Sequence, residues 1–193
     1  MIKRIGACGL LSRHQPHHFT ALARAIVGQQ LSSKAAATIF SRFVALFPDG
    51  RVNAARIAEL DDVTLRGVGL SGQKLRYLRD LSERVLDGRL DLDELETLPD
   101  EEIVARLTAV KGFGRWTAEM FLMFRLHRPD VLPVGDLGIV KAVQRAYKLR
   151  ALPTPARLTK LGEAWRPYRS VACWYLWASL AAPPIKTSKN GRG

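Results

Sequence analysis

The chain has 193 residues, 47% hydrophobic and 25% charged, which suits a soluble globular protein that buries its core as one compact unit or as two lobes. Its 30 Lys and Arg against 18 Asp and Glu give a formal charge of +12 and a pI near 10.3, a balance that attracts polyanions, with nucleic acid ahead of anionic membrane. Two distant cysteines, Cys8 and Cys173, exclude a four-cysteine zinc or iron–sulfur site and suit free thiols in a reducing cytoplasm, and no apolar run reaches membrane-spanning length.

The predicted elements are almost all helices. Met1 to Arg4 leave no room for an apolar leader before Cys8, so a lipoprotein signal is not expected. His14, His17 and His18 follow, with a spacing that fits no familiar metal site. His18 to Val27 places Phe19, Leu22 and Ile26 on one helical face. Ser32 or Ser33 caps the next helix, which runs to about Phe47 and stops at Pro48-Asp49-Gly50. Asn53 caps a short helix to Leu60, and Asp61 or Asp62 opens another.

Ser71 caps a longer helix to Asp87-Gly88 with Leu75, Leu78, Leu81 and Val85 at helical spacing. Asp91 to Leu98 holds a helical turn. Pro99 starts a helix whose first turn carries Asp100, Glu101 and Glu102, where the helix dipole favours acids. A helix from Arg115 to about His127 follows, then an extended connection between Pro129 and Pro133. Asp136 opens a helix to about Tyr147, Thr154-Pro155 one to about Trp165, and Tyr168 to Ala182 is the last. The polar tail Lys186 to Gly193 is expected to lack a fixed fold. No alternating run is long enough for a strand.

Between two of these helices the chain reads VKGFGRW, from Val110 to Trp116. Gly112 and Gly114 can take positive φ, which a tight reversal needs. The loop amides and the following helix N-terminus then form an anion site without a metal, with Lys111 and Arg115 on its flanks. A plain helix–helix turn accounts for the same residues. A dinucleotide fingerprint does not, because the stretch follows a helix and not a strand. Locally, Asp136 after Pro133-Val134-Gly135 reads as a helix cap.

Taken in order, Ala25 to Ala36 (AIVGQQLSSKAA), the hairpin, Pro133 to Asp136 and Trp165 to Trp177 resemble the helix-hairpin-helix DNA glycosylases, and among them the AlkA-like DNA-3-methyladenine glycosylases. The resemblance spans roughly residues 18 to 182, nearly the whole chain. It implies an all-α, two-lobed fold with a cleft between the lobes. Residues 1–185 would form one glycosylase unit, with roughly 30–130 as one lobe and the N-terminal segment plus 131–185 as the other. It implies strand contacts from Lys111, Gly112, Phe113, Gly114, Arg115 and Thr117, and a wedge at Gln30 or its neighbour Leu31, a pair that otherwise reads as a turn before the Ser32 cap.

The resemblance also makes Asp136 the catalytic carboxylate. Cleaving a base from its sugar builds positive charge on the sugar, which a carboxylate stabilises. Alkylated purines are already cationic and leave without a proton donor, so one carboxylate serves. Trp116 stands where lyase-competent members carry a Schiff-base lysine, so no strand cleavage is expected. Trp116 and Trp177 match pocket positions, while Met120 and Leu137 stand where aromatics are frequent and imply a wider pocket. Trp165 and Trp174 read as core. No cofactor is expected and no iron–sulfur cluster; a monovalent cation at the hairpin is the single ion the resemblance leaves room for. The expected partner is duplex DNA with alkylated bases, met by a cytoplasmic, DNA-associated monomer. Two alternatives stay open: a glycosylase for a mismatched or deaminated base, and a non-catalytic DNA-binding protein. Lys74 reads as a phosphate contact or a solvated helix start, and Arg166 and Arg169 as DNA contacts or as braces for the last helix.

Overall fold

The computed structural model describes residues 2–10 and 17–181, so His14 and the Lys186 to Gly193 tail lie outside the described residues. The described residues hold no strand. They form helices α1 (Ile2–Ile5), α2 (His18–Gly28), α3 (Ser33–Val44), α4 (Ala54–Glu59), α5 (Asp62–Gly67), α6 (Gly72–Leu86), α7 (Asp100–Thr108), α8 (Arg115–Phe124), α9 (Leu137–Ala146), α10 (Pro155–Gly162) and α11 (Arg169–Ala181). Short 3₁₀ turns lie at Glu94–Glu96 and Glu163–Trp165. The expected caps fix most of the starts. Ser32, Asn53, Asp61, Ser71, Asp136 and Thr154 each accept a bond from the amide three residues on. The four-residue helix α1 has no signal at the sequence level.

The chain divides into two compact units, Ser12–Arg128 and Met1–Leu11 with Pro129–Gly193. In the first, α2 packs on α3, α6 and α8, α4 packs on α6, and α7 packs on α8. Leu22, Ile26, Phe43, Ile57, Leu65, Leu78, Leu81, Ile103, Leu107 and Leu122 are buried there. Helix α2 therefore belongs with this unit, not with the N-terminal segment as expected. Its buried face, Phe19, Leu22, Ala23, Ile26 and Val27, is covered by α3, α6 and α8. His18, at its start, is a structural residue. Its Nε2 lies 3.1 Å from Glu96 and its ring meets Phe121 at 5.6 Å. Burial first, and then the charge of Arg125, hold its pKa below the ordinary value despite Glu96.

In the second unit, α9 and α1 pack against α11, and Val131, Ile139, Val143, Leu158, Cys173 and Leu176 are buried. The Pro129–Val131 connection is tied to α11. Ser170 donates its amide to Pro129 O at 2.9 Å and accepts the Val131 amide on Oγ at 2.9 Å. Asp130 accepts Arg169 Nε at 2.7 Å and Arg166 Nη1 at 2.7 Å. Burial alone would raise the Asp130 pKa, but the Arg169 bonds and both guanidinium charges bring it below the ordinary value. Arg166 and Arg169 are therefore braces for the last helix. Trp165 and Trp174 are half-buried and not deep core. Trp165 donates to Tyr147 Oη at 3.0 Å, and Trp174 meets Tyr175 edge-on at 5.0 Å.

Candidate functional site

The hairpin between α7 and α8 is held by residues far away in sequence. Gly112 has φ +84, and a Cβ there would overlap the ring of Tyr77. Gly114 differs from expectation. It caps α8 with φ −105, a conformation open to any residue, and a Cβ there would meet nothing within 4 Å. What its small size preserves is open space in front of the α8 N-terminus, which carries no side-chain cap. Phe113 is buried at 6% exposure, so its side chain anchors the hairpin and faces no ligand. Arg115 is exposed but committed to acids. It pairs with Glu101 through Nη1 at 3.0 Å and Nη2 at 2.5 Å, and with Glu119 through Nε at 3.1 Å. Its charge is thus balanced locally; Lys111 is 70% exposed along its side chain, with its Nζ 3.6 Å from Asp80 Oδ1.

Asp80 on α6 is the support that sequence reasoning missed. Its buried carboxylate accepts the Lys111 amide at 2.8 Å and Arg84 Nε at 2.9 Å. Burial alone would raise its pKa, but the Lys111 and Arg84 bonds pull it below the ordinary 3.8. A carboxylate with a lowered folded pKa contributes stability above its unfolded pKa and loses it as pH falls through the folded one. Asp80→Ala strands a buried amide and an arginine, so it is expected to cost about 1–3 kcal/mol near neutral pH. Urea melts should show the wild-type advantage shrinking below pH 3.8. An advantage that persists undiminished in acid would refute this role.

The turn after α2 meets the same hairpin. Gln29 Nε2 donates to Gly112 O at 2.8 Å. Gln30 takes a left-handed φ of +57 and is exposed, and Leu31 is 37% exposed. Lys74 is not a solvated helix start. Its Nζ donates to Val27 O at 2.7 Å, closing the α2 C-terminus beneath this turn, and burial lowers its pKa. A cavity of about 500 Å³ lies against this turn, lined by α2, by Gln29, Gln30 and Leu31, and by Trp116, Thr117, Met120, Phe121 and Phe124 of α8. Trp116 is 52% exposed on its wall. The lining contains Arg24 and Arg125 and no lysine. The structure therefore brings Gln30, Leu31, Trp116, Thr117 and Met120 to one cavity.

Asp136, Leu137 and Trp177 belong to the other unit. Asp136 Oδ1 accepts the Ile139 amide at 2.8 Å and Trp177 Nε1 at 2.9 Å. Its carboxylate is thereby fixed by the start of α9 and by α11. Leu137 is 56% exposed beside it. Gly138 is a second residue that sequence reasoning missed. A Cβ there would stand 2.9 Å from Asp136 Oδ1 and 3.0 Å from Trp177 Nε1, so a larger residue would press on both side chains where they meet. The signal, a glycine two residues after the aspartate inside a helix, is visible in the sequence. Among the described residues no group of three His, Cys, Asp or Glu could hold a metal ion, and no helix is long and apolar enough to cross a membrane.

A hairpin of this build between two helices, followed by a capped aspartate at the head of a third, defines a helix-hairpin-helix protein. The chain belongs to the HhH-GPD superfamily of base excision DNA repair proteins, whose family model matches residues 23–167. It is 38% identical over 185 residues to DNA-3-methyladenine glycosylase 1 of Schizosaccharomyces pombe, covering 93% of this chain and 81% of that protein. It is 30% identical over 180 residues to an alkylbase DNA glycosidase-like protein of the same organism, covering 92% and 84%. The structure of a Schizosaccharomyces pombe 3-methyladenine DNA glycosylase in complex with abasic DNA superposes with a TM-score of 0.77 at 35% identity, covering 93% of this chain and 91% of that one. A DNA-3-methyladenine glycosidase from Bacillus halodurans gives 0.79 at 41% identity, covering 86% and 76%.

Proposed function

We propose that the chain is a monofunctional DNA glycosylase that hydrolyses the N-glycosidic bond of alkylated bases of the 3-methyladenine type and leaves an abasic site. It acts as a monomer on duplex DNA, in the cytoplasm and associated with DNA. The observation that carries the reading is the Asp136 carboxylate, held by two donors on one oxygen at the head of α9. A carboxylate so fixed stabilises the cationic sugar that forms as the base leaves, and orients the water that attacks it. A cationic alkylated purine needs no separate acid.

The hairpin supports the DNA side of the reading. The uncapped α8 N-terminus takes a backbone phosphate, with the exposed Lys111, which also faces Asp80 at 3.6 Å, beside it, and Gly114 lets the strand approach. Trp116 offers an exposed aromatic face on the cavity wall, suited to stacking on an electron-poor base. Gln30 and Leu31 are the exposed pair that fills the vacated stack. Trp116 carries no amine at the position where a lyase would need a lysine, so water is the nucleophile and the strand stays intact.

The test is release of free bases from methylated duplex DNA by the purified protein. Free 3-methyladenine is expected, with strands that break only after alkali. Prompt nicking would overturn the monofunctional reading. Release from uracil or mismatch duplexes alone would move the substrate to another lesion. Binding without release from any duplex would leave a DNA-binding protein without chemistry.

A further inference from the structure

The positive charge of the chain is unevenly placed. Fifteen of its 18 acids fall in the unit Ser12–Arg128, where arginines 56, 79, 84, 89, 106, 115 and 128 all form ion pairs. The other unit has only Asp130, Asp136 and Glu163. Between Leu137 and Gly162 there are six cations and no acid: Lys141, Arg145, Lys148, Arg150, Arg157 and Lys160. All six are exposed, and among the described residues none takes part in an ion pair.

Three of them lie close along the chain. Lys141 and Arg145, four residues apart, lie on one side of α9, and Lys148 follows two residues past the helix end, where its φ of +52 turns the chain out of the helix. The buried residues Ile139, Ala142 and Val143 occupy the opposite side. This stripe lies on the helix that Asp136 opens and on the turn after it. At about 1.5 Å per residue, Lys141 lies about 7 Å and Arg145 about 13 Å along the axis from it. Like charges without interspersed acids repel one another and destabilise the compact state. A polyanion that lies along them relieves the repulsion.

We infer that the stripe Lys141, Arg145 and Lys148 is a second DNA-backbone surface, separate from the hairpin, that takes phosphates of the duplex flanking the damaged nucleotide. The choice of DNA over an acidic protein segment rests on the glycosylase reading, because the stripe continues the helix that begins with the proposed catalytic carboxylate. One strand of a duplex presents a charge per about 3.4 Å of axis, so a stripe of about 10 Å meets two or three phosphates.

The test compares the wild type with the triple variant Lys141→Gln, Arg145→Gln, Lys148→Gln. Binding is measured to duplexes carrying a stable abasic analogue, of about one and about three helical turns. The wild type should bind the longer duplex more tightly, on the order of tenfold beyond the gain in equivalent sites, and the variant should lose that gain. Its log affinity against log salt should flatten by about 2–3, one counterion release per lost phosphate contact. Unchanged slope and unchanged length dependence would overturn the inference. So would intact DNA binding with lost retention on polyglutamate, which would assign the stripe to an acidic protein. If the triple variant does not fold, Arg145→Gln alone should flatten the slope by about 0.9. Base release by the wild type on methylated forms of the same duplexes judges the glycosylase reading separately. No release with length-dependent binding intact would refute the activity and keep the surface.

Discussion

Asp136→Asn is expected to fold, to bind DNA, and to release alkylated bases about a hundredfold to a thousandfold more slowly than the wild type under single-turnover conditions. Asparagine is as good a helix cap as aspartate, and its side-chain oxygen can still accept the Ile139 amide or the Trp177 indole. What it lacks is the negative charge. The variant therefore separates the cap, which any protein would want at this position, from the chemistry. A companion variant tests the geometry and leaves the charge in place. Gly138→Ala keeps the carboxylate but puts a methyl group 2.9 Å from its Oδ1 and 3.0 Å from Trp177 Nε1. Alanine is the better helix former by about 1 kcal/mol, so stability should change little while release falls about tenfold. Full activity of the Asn variant would remove Asp136 from the mechanism. Full activity of the Ala variant would show that the bond between Trp177 and Asp136 is dispensable.

The sequence carried most of the fold because helix starts are local. Ser32, Asn53, Asp61, Ser71, Asp136 and Thr154 sit where a cap is wanted, and each one caps. The reversal at Gly112 was legible for the same reason, since positive φ is a property of one residue. The supports of the hairpin were not. Asp80 reaches it across 31 residues and Gln29 across 83, and no periodicity marks either one. Asp80 looks like any acid on a helix until the fold buries it. The partners of Arg115 are the same case. Its i+4 partner Glu119 could be read from spacing, but Glu101, from the preceding helix, could not. Charge counted along a chain says how much is present. Only the fold says which charges are already balanced, and which, like Lys74 on the Val27 carbonyl, are turned inward onto the backbone.

Gly112→Ala is expected to be the most damaging small substitution in the hairpin. Two costs combine. A non-glycine residue in the left-handed region costs about 1–2 kcal/mol, and forcing the new methyl into the Tyr77 ring adds about 1–3 kcal/mol of overpacking. Tyr77 cannot simply swing away without breaking its bond from Gln73, at 2.5 Å, and the hairpin cannot shift without straining the Gln29 bond to Gly112 O and the Asp80 bond to the Lys111 amide. DNA binding should therefore fall together with stability, because the hairpin sets where the free amides at the start of α8 point. A double-mutant cycle with Tyr77→Ala separates the terms. Removing the ring should recover the overpacking cost and leave the backbone cost, so the two substitutions should be strongly non-additive in urea melts. Additive effects would mean that the tyrosine does not confine Gly112. Gly114→Ala is the internal control, since a Cβ there meets open space at an ordinary φ. It should leave stability within about 0.5 kcal/mol of the wild type and still weaken binding, because the space it fills is the space a DNA strand would occupy.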